Sequence, residues 1–564
     1  MLYLIVALAA GIIAICYLQY QNKQKKLKRI TYIIDKWGKP TIEDRNFKLI
    51  SQYHECIHQH TGEMLTDEIA QDIDLEKLFA YIDRTNSKPG QQYLYQHLRK
   101  GQKNLELLHE LDGLTEQFQS DDDLRIKCEA ELIKLSHRNA YYIHELFTSV
   151  YHALYQSWLA IYIKAAGILW LLSLVFTITE RNQYLFLITL GLTFFNFYIH
   201  YTNKKKIARY VHSLPQLYLL MGVAQKCSLL IKNADTIAKS LKELKPLRKT
   251  LSFINFQDDA TKNDSTDISS GIFELIKTLL LIEPLMFLVS INNINQQKAN
   301  IKLLFDYITK IDTAISIQSL RVGLPYYSKP NFTANTDKLQ LVDLYHPLIE
   351  NCIPNSIIAS LSQGNLITGS NMSGKTTFIR AIVINAILSQ TLFTSCTKNS
   401  MAPFMSIFTS IRINDNIEEH KSYFQAEALS ILNILEKSAQ QTNSLVIIDE
   451  IFRGTNTIER ISAAKAILSY LTCHKNFVFV STHDLELAEL LGPEYLTYSF
   501  EERAADTRLI FDYKIKAGLL KNKNGIAILT ALGYPETIIE NANTISNVLR
   551  KKYNLNDNPS SSLP

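Results

Sequence analysis

The sequence predicts two structural parts: a C-terminal α/β P-loop NTPase domain, and before it an all-α core and lever domain with an inserted transmembrane helical hairpin. A glycine-containing loop, GSNMSGKT, lies between an apolar strand pattern and a helix pattern within Gly364–Ile387. From about residue 333, short strand patterns alternate with helices, as they do in nucleotide-binding sheets. Two apolar stretches, 159–178 and 184–201, are each close to the length that crosses a bilayer.

The composition sets broad limits on the chain. Its 564 residues are enough for about three or four domains, and its formal net charge of +5 is small for this length. The charge alone therefore does not indicate a nucleic-acid partner. The seven cysteines are scattered and form no CxxC pair, so the sequence indicates neither a zinc site nor a disulfide framework. A reducing compartment fits the bulk of the chain best.

Residues 1–20 are predicted to form an N-terminal transmembrane anchor. Leu2–Leu18 is almost uncharged, and basic residues follow it at Lys23, Lys25, Lys26, Lys28 and Arg29. A cleaved signal peptide is the alternative, but a signal peptide carries its positive charge before the apolar run. The positive-inside rule favours an uncleaved anchor that is followed by a cytoplasmic chain.

Residues 157–202 are predicted to form the inserted transmembrane hairpin. The polar link 179–183 separates the two apolar stretches, and Lys164 can extend its ammonium group to the interface. Basic residues follow the second stretch at Lys204, Lys205, Lys206 and Arg209. Both flanks are therefore expected in the cytoplasm, with the short turn outside. The alternative is a pair of buried core helices.

Helical spacing dominates the rest of the first 330 residues, which we divide into two halves of one core, 21–156 and 203–330. A helix over Leu75–Ile82 is predicted to be followed by a break at 86–90, where Pro89 and Gly90 lie. A third apolar run, Ile272–Ile291, contains charged residues and a proline and is predicted to be a core helix, not a membrane span. The stretch 257–270 is predicted to be a polar loop, and 550–564 a disordered tail.

Residues 331–549 are predicted to form the α/β domain. The spacing of Gly369 and Gly374 is that of a phosphate-binding loop, in which glycines let successive backbone N–H groups surround an anion. Lys375 can reach the β- and γ-phosphates, and the Thr376 hydroxyl can ligate Mg²⁺. Strands are predicted at Leu339–Val342, Asn365–Thr368, Leu445–Ile448 and Phe477–Val480, with a further strand pair in Pro403–Asn416.

Two of these strands end in side chains suited to phosphate hydrolysis. Asp449 follows an apolar strand, whose tip would bring the carboxylate next to the Mg²⁺ of the phosphate loop. The adjacent Glu450 is placed to orient or deprotonate a water molecule. His483 follows the strand at 477–480, where its imidazole can contact the γ-phosphate. The pattern predicts a Mg²⁺-dependent site for phosphate hydrolysis.

Together these motifs resemble the MutS family of ATPases. TGSNMSGKTTFIRAI is similar to that family's TGPNMxGKST loop, SLVIIDEIFRGTNTIER to its DEIGRGTST segment, and STHDLEL to its ATHYxEL segment. Residues 422–427 resemble its STFxxE motif, 415–416 its DD-like pair, 345–350 its HPxxE entry, and 525–542 its C-terminal dimerisation segment. Residues 79–90 more weakly resemble the start of its helical core. The transmembrane hairpin stands where that family has its DNA clamp, and the mismatch-reading domain has no counterpart.

The resemblance implies a dimeric ATPase that uses ATP and Mg²⁺. It implies that Glu450 activates water, that His483 senses the γ-phosphate and that Lys375 contacts the phosphates, with Thr376 and Asp449 on the Mg²⁺. Ser422 would reach the γ-phosphate of the opposite subunit, and Cys352 and Ile353 would pack near adenine. Phe452 in place of a glycine, and the side chains at 418–420, depart from the family pattern near that intersubunit contact. The nucleotide-binding residues implied are Gly369, Ser370, Asn371, Met372, Ser373, Gly374, Lys375, Thr376, Thr377 and Ser422.

Two functions remain open at this point. The first is a multi-pass protein of the inner or plasma membrane, a homodimeric MutS-like ATPase with its ATPase domain in the cytoplasm and a relation to mismatched-DNA binding. The second is a membrane-coupled ATPase or scaffold that acts on a protein or lipid partner instead of DNA. The basic clusters at 23–29 and 203–209 fit topology and anionic lipid better than DNA. A transporter ATPase is disfavoured because three apolar spans are few and no LSGGQ-type signature is present.

Overall fold

The computed structural model divides the chain into two compact units. The first comprises Met1–Gly62, Ile82–His97 and Leu111–Gly323, and the second comprises Glu63–Tyr81, Leu98–Glu110 and Leu324–Pro564. The predicted anchor up to residue 16, the loop at 257–270 and the tail from 553 onward lie outside the described residues. The described residues are 17, 20, 21, 23–41, 44–58, 65–101, 103–149, 155–231, 235–252, 275–333, 336–370, 372–412, 423–441, 443–452, 456–505, 508–519, 526, 529 and 533–552.

Helices form the first unit, and the two longest, Gln183–Leu230 and Ile282–Gly323, supply much of its core. Phe287 and Ile291 are buried in that core, which confirms a core helix for this part of the third apolar run. The other helices lying wholly or mainly in this unit are Phe47–Ile50, Gln52–His58, Lys88–Lys100, Leu105–Ser120, Asp122–Leu132, Glu145–Thr148, Ser157–Glu180 and Asp235–Glu243, with 3₁₀ turns at Ile133–Leu135 and Arg138–His144.

The predicted break at 86–90 is displaced toward the N-terminus. The helix begins at Lys88 and includes Pro89 and Gly90 in its first turn, where a missing N–H costs no helical hydrogen bond. The irregular stretch is 83–87, where the buried Asp312 carboxylate accepts the backbone N–H groups of Asn86 and Ser87 at 2.8 Å each. A Cβ on Gly90 would lie 2.1 Å from Asp312 Oδ2, so glycine is required there.

The predicted hairpin consists of two apolar helices joined at Arg181, whose φ of +46° closes the turn. Among the described residues, Ser157–Glu180 and Gln183–Lys204 are the two segments long and apolar enough to cross a membrane. Only 11% and 22% of their most apolar windows are buried within the protein, so they are not a pair of buried core helices. The second helix continues without interruption into the helical core as far as Leu230.

The second unit is built on two sheets. The larger has the strand order β10-β9-β4-β8-β7-β6, parallel from β9 to β6, with β10 antiparallel at one edge. The smaller has the order β1-β5-β2-β3. The strands are β1 Asn331–Phe332, β2 Lys338–Leu344, β3 Asn355–Ser360, β4 Gly364–Gly369, β5 Asn399–Ala402, β6 Ser406–Ser410, β7 Ser444–Asp449, β8 Asn476–Thr482, β9 Tyr495–Ala505 and β10 Arg508–Ala517. The helices are Asp67–Asp72, Leu75–Ile82, Lys375–Leu392, Tyr423–Ala439, Thr457–Cys473, Leu485–Leu491 and Glu536–Lys552, with a 3₁₀ turn at Gly492–Glu494.

The four strands predicted singly are confirmed as β2, β4, β7 and β8, each slightly longer than expected. The further strand pair predicted in 403–416 is wrong for the residues described there, because they contain only β6. The preceding strand, β5, ends at Ala402 and joins the other sheet, where it pairs with β1 and β2. Charged residues interrupt the apolar pattern of β9 and β10, and the sequence did not predict that hairpin.

The domain boundary differs from the prediction that 21–156 belongs to one helical core. Residues 63–81 belong with the sheets because Asp72, which is 2% exposed, accepts three hydrogen bonds at the end of β6. Its donors are the Thr409 hydroxyl at 2.6 Å and the backbone N–H groups of Ile411 and Arg412 at 3.1 and 2.6 Å. The Arg412 guanidinium also donates to both carboxylate oxygens of Asp74, at 2.8 and 2.7 Å.

Candidate nucleotide site

The loop after β4 has the geometry of an anion cradle. Gly369 and Gly374 have φ values of +152° and +107°, which side chains rarely adopt. A Cβ on Gly369 would lie 2.7 Å from Ser373 Oγ and 2.9 Å from the Phe500 carbonyl oxygen, so a side chain does not fit there. Gly374 caps the helix Lys375–Leu392, whose N-terminal N–H groups attract negative charge. The residues present therefore fit a bound phosphate chain.

The Lys375 side chain folds back over this loop. Its ammonium group donates to the carbonyl oxygens of Gly369 at 2.6 Å and Ser370 at 2.8 Å. The residue is only 5% exposed. The loop therefore holds a positive charge at its centre, where the phosphates of a nucleotide would lie.

The parallel register brings three oxygen-bearing side chains together at the carboxyl edge of the sheet. Thr376 Oγ1 donates to Asp449 Oδ2 at 2.9 Å. The Ser481 hydroxyl donates to the other oxygen of the Asp449 carboxylate, and the two residues are register partners on β7 and β8. Hard oxygen ligands of this kind are those that Mg²⁺ prefers. The two predicted metal ligands, Thr376 and Asp449, thus lie in direct contact.

Glu450 and His483 form a second pair next to this cluster. Glu450 has a φ of +57°, and its backbone N–H donates to the Ser481 carbonyl at 2.9 Å. His483 Nδ1 lies 3.4 Å from Glu450 Oε1, and this hydrogen bond raises the pKa of His483. On its other side, His483 Nε2 is 3.9 Å from Asp484, which Arg460 binds at 2.8 Å. Glu450 lines the cavity, whereas His483 lies against Glu450, so its contact with a γ-phosphate stays a prediction.

Lys375, Thr376, Asp449 and Glu450 border a cavity of about 740 Å³. The predicted nucleotide residues Ser370, Met372, Gly374, Lys375, Thr376 and Thr377 line it, as do Cys352 and Ile353. Ser373 is buried, and Asn371 lies outside the described residues.

Tyr513 is a lining residue that the sequence did not reveal. It has a φ of +51°, and its ring lies 3.3 Å from the position of a Cβ on Gly374. The Asn355 side chain fixes this part of β10, donating to the Tyr513 carbonyl at 2.9 Å and accepting from Ile515 N–H at 2.9 Å. The sequence did not reveal Tyr513 because this residue belongs to the β9–β10 hairpin, which was not predicted.

His346 also lines the cavity and was not predicted as a site residue. Burial lowers the pKa of His346 to about 4, with the positive charge of Arg380 adding to the effect, so its imidazole is neutral near pH 7. The Ser370 hydroxyl donates to the carboxylate of Glu502 at the end of β9. This hydrogen bond joins the phosphate loop to β9 within the second unit.

Ser422 and residues 415–420 lie outside the described residues, so the predicted contact across subunits stays a prediction. The neighbouring part of that motif is described. The buried Glu427 accepts the backbone N–H of Phe452 at 2.5 Å, and the rings of Phe424 and Phe452 are 5.4 Å apart. The departure at Phe452 is thus accommodated by packing within the same unit.

Comparison with known proteins identifies this site's domain. The family model for MutS domain V matches residues 365–550. The chain is 35% identical over 245 residues to the DNA mismatch repair protein MutS of Petrotoga mobilis, covering 41% of this chain and 29% of the relative. It is 34% identical over 247 residues to that of Staphylococcus haemolyticus, covering 41% and 27%.

A further MutS protein, from Clostridium botulinum strain Eklund 17B, is 30% identical over 299 residues, which is 50% of this chain and 31% of the relative. The chain thus matches less than a third of the length of these relatives. The matched part contains the phosphate loop, the Asp449–Glu450 strand end and His483. Residues 365–550 are a MutS domain V, and this domain carries the similarity of the chain to MutS proteins.

Proposed function

We propose that the chain is a membrane-anchored MutS-like ATPase that binds and hydrolyses ATP with Mg²⁺ and works as a homodimer through domain V. The observation that carries this proposal is the convergence of Lys375, Thr376, Asp449 and Glu450 on one cavity. The cavity volume of about 740 Å³ lies within the usual range for small-molecule sites.

The residues have separable roles in this proposal. Loop N–H groups and Lys375 bind the phosphates, for which Lys375 exchanges its bonds to the Gly369 and Ser370 carbonyls. Thr376 and Asp449 would hold Mg²⁺, which neutralises charge on the phosphate oxygens when bound. Glu450 accepts a proton from the attacking water. His483, with its raised pKa, stabilises the ionised form of Glu450 and orients it.

Membrane attachment rests on the two apolar helices and their low burial. The basic residues after the second helix support a cytoplasmic location for domain V. The relatives are named as DNA mismatch repair proteins, so binding of mismatched DNA by this chain is part of the proposal.

The second candidate is a membrane-coupled ATPase or scaffold that acts on a protein or lipid partner, which the same exposed helices favour. DNA binding that is selective for mismatches and resists salt would support a repair role. Weak binding that falls steeply with salt and ignores mismatches would favour the second candidate.

Nucleotide turnover by two variants tests the site. Glu450→Gln should retain ATP affinity while hydrolysis falls roughly 10²- to 10⁴-fold, the range for loss of a general base. Lys375→Ala should weaken ATP binding roughly tenfold to a hundredfold, the cost of a charge-assisted hydrogen bond. The exposed Glu489→Gln and Lys338→Ala are matched controls that should behave like the unaltered protein. Unchanged turnover by Glu450→Gln would remove Glu450 from the proposal, and unchanged affinity in Lys375→Ala would contradict the nucleotide site.

A further inference from the structure

A short helical segment, residues 275–280, contacts both apolar helices of the first unit. The Leu279 carbonyl accepts a hydrogen bond of 2.7 Å from Asn196 Nδ2, and Asn196 is fully buried. The Leu280 carbonyl oxygen lies 3.4 Å from the position of a Cβ on Gly167, so the backbone approaches the first apolar helix closely. The segment is thus held against the hairpin within the apolar part of each helix.

The hydrogen bonding here suits a location without water. The chain breaks at Leu281, which has a φ of +49°, before the long helix Ile282–Gly323 begins. Asn196 Nδ2 donates to the Leu279 carbonyl next to this break. The other end of the Asn196 amide is also hydrogen-bonded, because its Oδ1 accepts the Tyr162 hydroxyl at 2.6 Å. Leu279 is buried, so its carbonyl needs a partner from the protein, and the bond from Asn196 meets the same requirement that a bilayer imposes.

Like the helices of the hairpin, the segment has one face buried against protein and an apolar face that is exposed. Thr278, Leu279 and Leu281 are buried against protein, whereas Leu275 and Ile276 are 49% and 41% exposed. On the hairpin, the apolar side chains of Ile168 and Phe194 are likewise exposed, by 65% and 67%.

Helix geometry sets the depth of the contact. Gly167 lies about 12 Å along its helix from Leu159, and Asn196 about 7.5 Å from Tyr201, at 1.5 Å per residue. Leu159 and Tyr201 are the cytoplasmic limits of the two apolar stretches in the predicted topology. Interfacial helices bury their apolar faces to a similar depth, about 5–10 Å. Lys277 is half-buried and long enough to extend its ammonium group toward the headgroups.

We propose that residues 275–281 are a third membrane element, which enters the cytoplasmic leaflet beside the hairpin without crossing it. The acyl chains of that leaflet cover the face formed by Leu275 and Ile276. This inference rests on the proposed membrane hairpin. Its consequence is that the long helix Ile282–Gly323 starts in the cytoplasmic leaflet. The helix Gln183–Leu230 leaves the same leaflet after crossing the bilayer, so both long helices of the helical core extend from the membrane.

The test uses the full chain in liposomes, with an environment-sensitive fluorophore on one introduced cysteine. Cys16, Cys56, Cys352 and Cys473 are first replaced by serine, because the other native cysteines are buried. Probes at Ile276→Cys, Ile168→Cys and Leu229→Cys are compared, since Leu229 is 81% exposed on the helical core beyond the hairpin. Quenching is measured with spin-labelled lipids of different label depth and with aqueous iodide.

We expect the Ile276 probe to be quenched by shallow spin-labelled lipid at least about fivefold more than the Leu229 probe, and to be protected from iodide. The Ile168 probe should be quenched more by deep labels. If Ile168 is lipid-quenched while Ile276 behaves like Leu229, the third element is overturned and the hairpin stands. If both Ile168 and Ile276 are quenched by iodide alone, the membrane hairpin fails, and this inference fails with it.

Discussion

The parallel strands of domain V and the two helices of the hairpin are similarly apolar but differ in what covers them. Leu366, Val446 and Phe479 on β4, β7 and β8 are fully buried. Ile168 and Phe186 on the hairpin are 65% and 56% exposed. Hydropathy predicts that each run avoids water, and the structure distinguishes the two cases. Protein covers the strands, whereas the outer faces of the helices have no cover from the described protein and suit lipid.

The polar side chains of domain V and of the hairpin also differ in what they contact. At the carboxyl edge of the sheet, Thr376, Asp449 and Glu450 converge on a cavity where a ligand can reach them. In the hairpin, polar side chains pair with one another: Trp170 Nε1 donates to Thr193 Oγ1 at 2.9 Å, and the hydroxyls of Thr177 and Thr189 are 3.0 Å apart. Polar groups therefore form a site in one region and join two helices in the other.

The largest expected effect comes from placing the same charge in both regions. Val480→Asp buries a carboxylate in the middle of the sheet and should cost at least about 5 kcal/mol, so that domain V does not fold. Leu172→Asp, at a position that is 50% exposed, should instead cost about 2.5–3.5 kcal/mol of membrane insertion. Recovery of folded protein and the inserted fraction of the hairpin are the respective measurements.

Leu172→Met is the control for the hairpin, because it keeps the apolar surface. In a water-exposed helix, Leu172→Asp would change the free energy of unfolding by less than about 0.5 kcal/mol. If the aspartate variant inserts as well as the methionine variant, lipid does not cover this face of the hairpin, and the proposed difference between the two regions is contradicted.

A smaller effect is expected where Asp72 joins residues 63–81 to the sheet. Asp72→Ala leaves one hydroxyl and two backbone N–H donors without their acceptor, so unfolding of domain V should become easier by roughly 3 kcal/mol. Chemical denaturation followed by a probe of domain V measures this change. Glu68→Gln, exposed on the same helix, should change it little. Equal stability of both variants would contradict the role of Asp72 in joining this segment to the second unit.

The smallest expected effect concerns a buried carboxylate of the helical unit. Burial raises the pKa of Glu129 to about 7, although Lys36 and Arg125 oppose the shift. Since the folded pKa lies above the unfolded value of 4.5, the proton stabilises the fold fully below pH 4.5, and this stabilisation is lost as the pH rises through 7. Relative to Glu129→Gln, the unaltered protein should lose about 2–3 kcal/mol of unfolding free energy between pH 4.5 and 7.

Thermal unfolding of both proteins in detergent at several pH values measures that difference. Parallel pH profiles would mean that Glu129 keeps an ordinary pKa, and that its contact of 2.9 Å with Arg125 outweighs its burial.

The sequence predicted the site better than the boundaries of the units. β7 is an apolar run that ends at Asp449, and the loop after β4 has the spacing of a phosphate-binding loop. Asp449, Glu450 and Thr376 could therefore be placed at one edge of the sheet from local patterns alone. Tyr513 and Asp72 could not be found in this way, because their roles depend on partners more than 100 residues distant. The helix start at Lys88 was missed because proline ends helices in most positions but is tolerated in a first turn.

Reporter topology at Arg181 tests the central claim most directly, that a MutS domain V in this chain is joined to a membrane hairpin. A phosphatase that is active only outside the cytoplasm and a fluorescent protein that folds only inside it are each inserted after Arg181, and each is fused after Pro564 in separate full-length proteins. We expect phosphatase activity at Arg181 and fluorescence at Pro564. Fluorescence at Arg181 without phosphatase activity would show that the turn remains in the cytoplasm and would contradict the membrane hairpin.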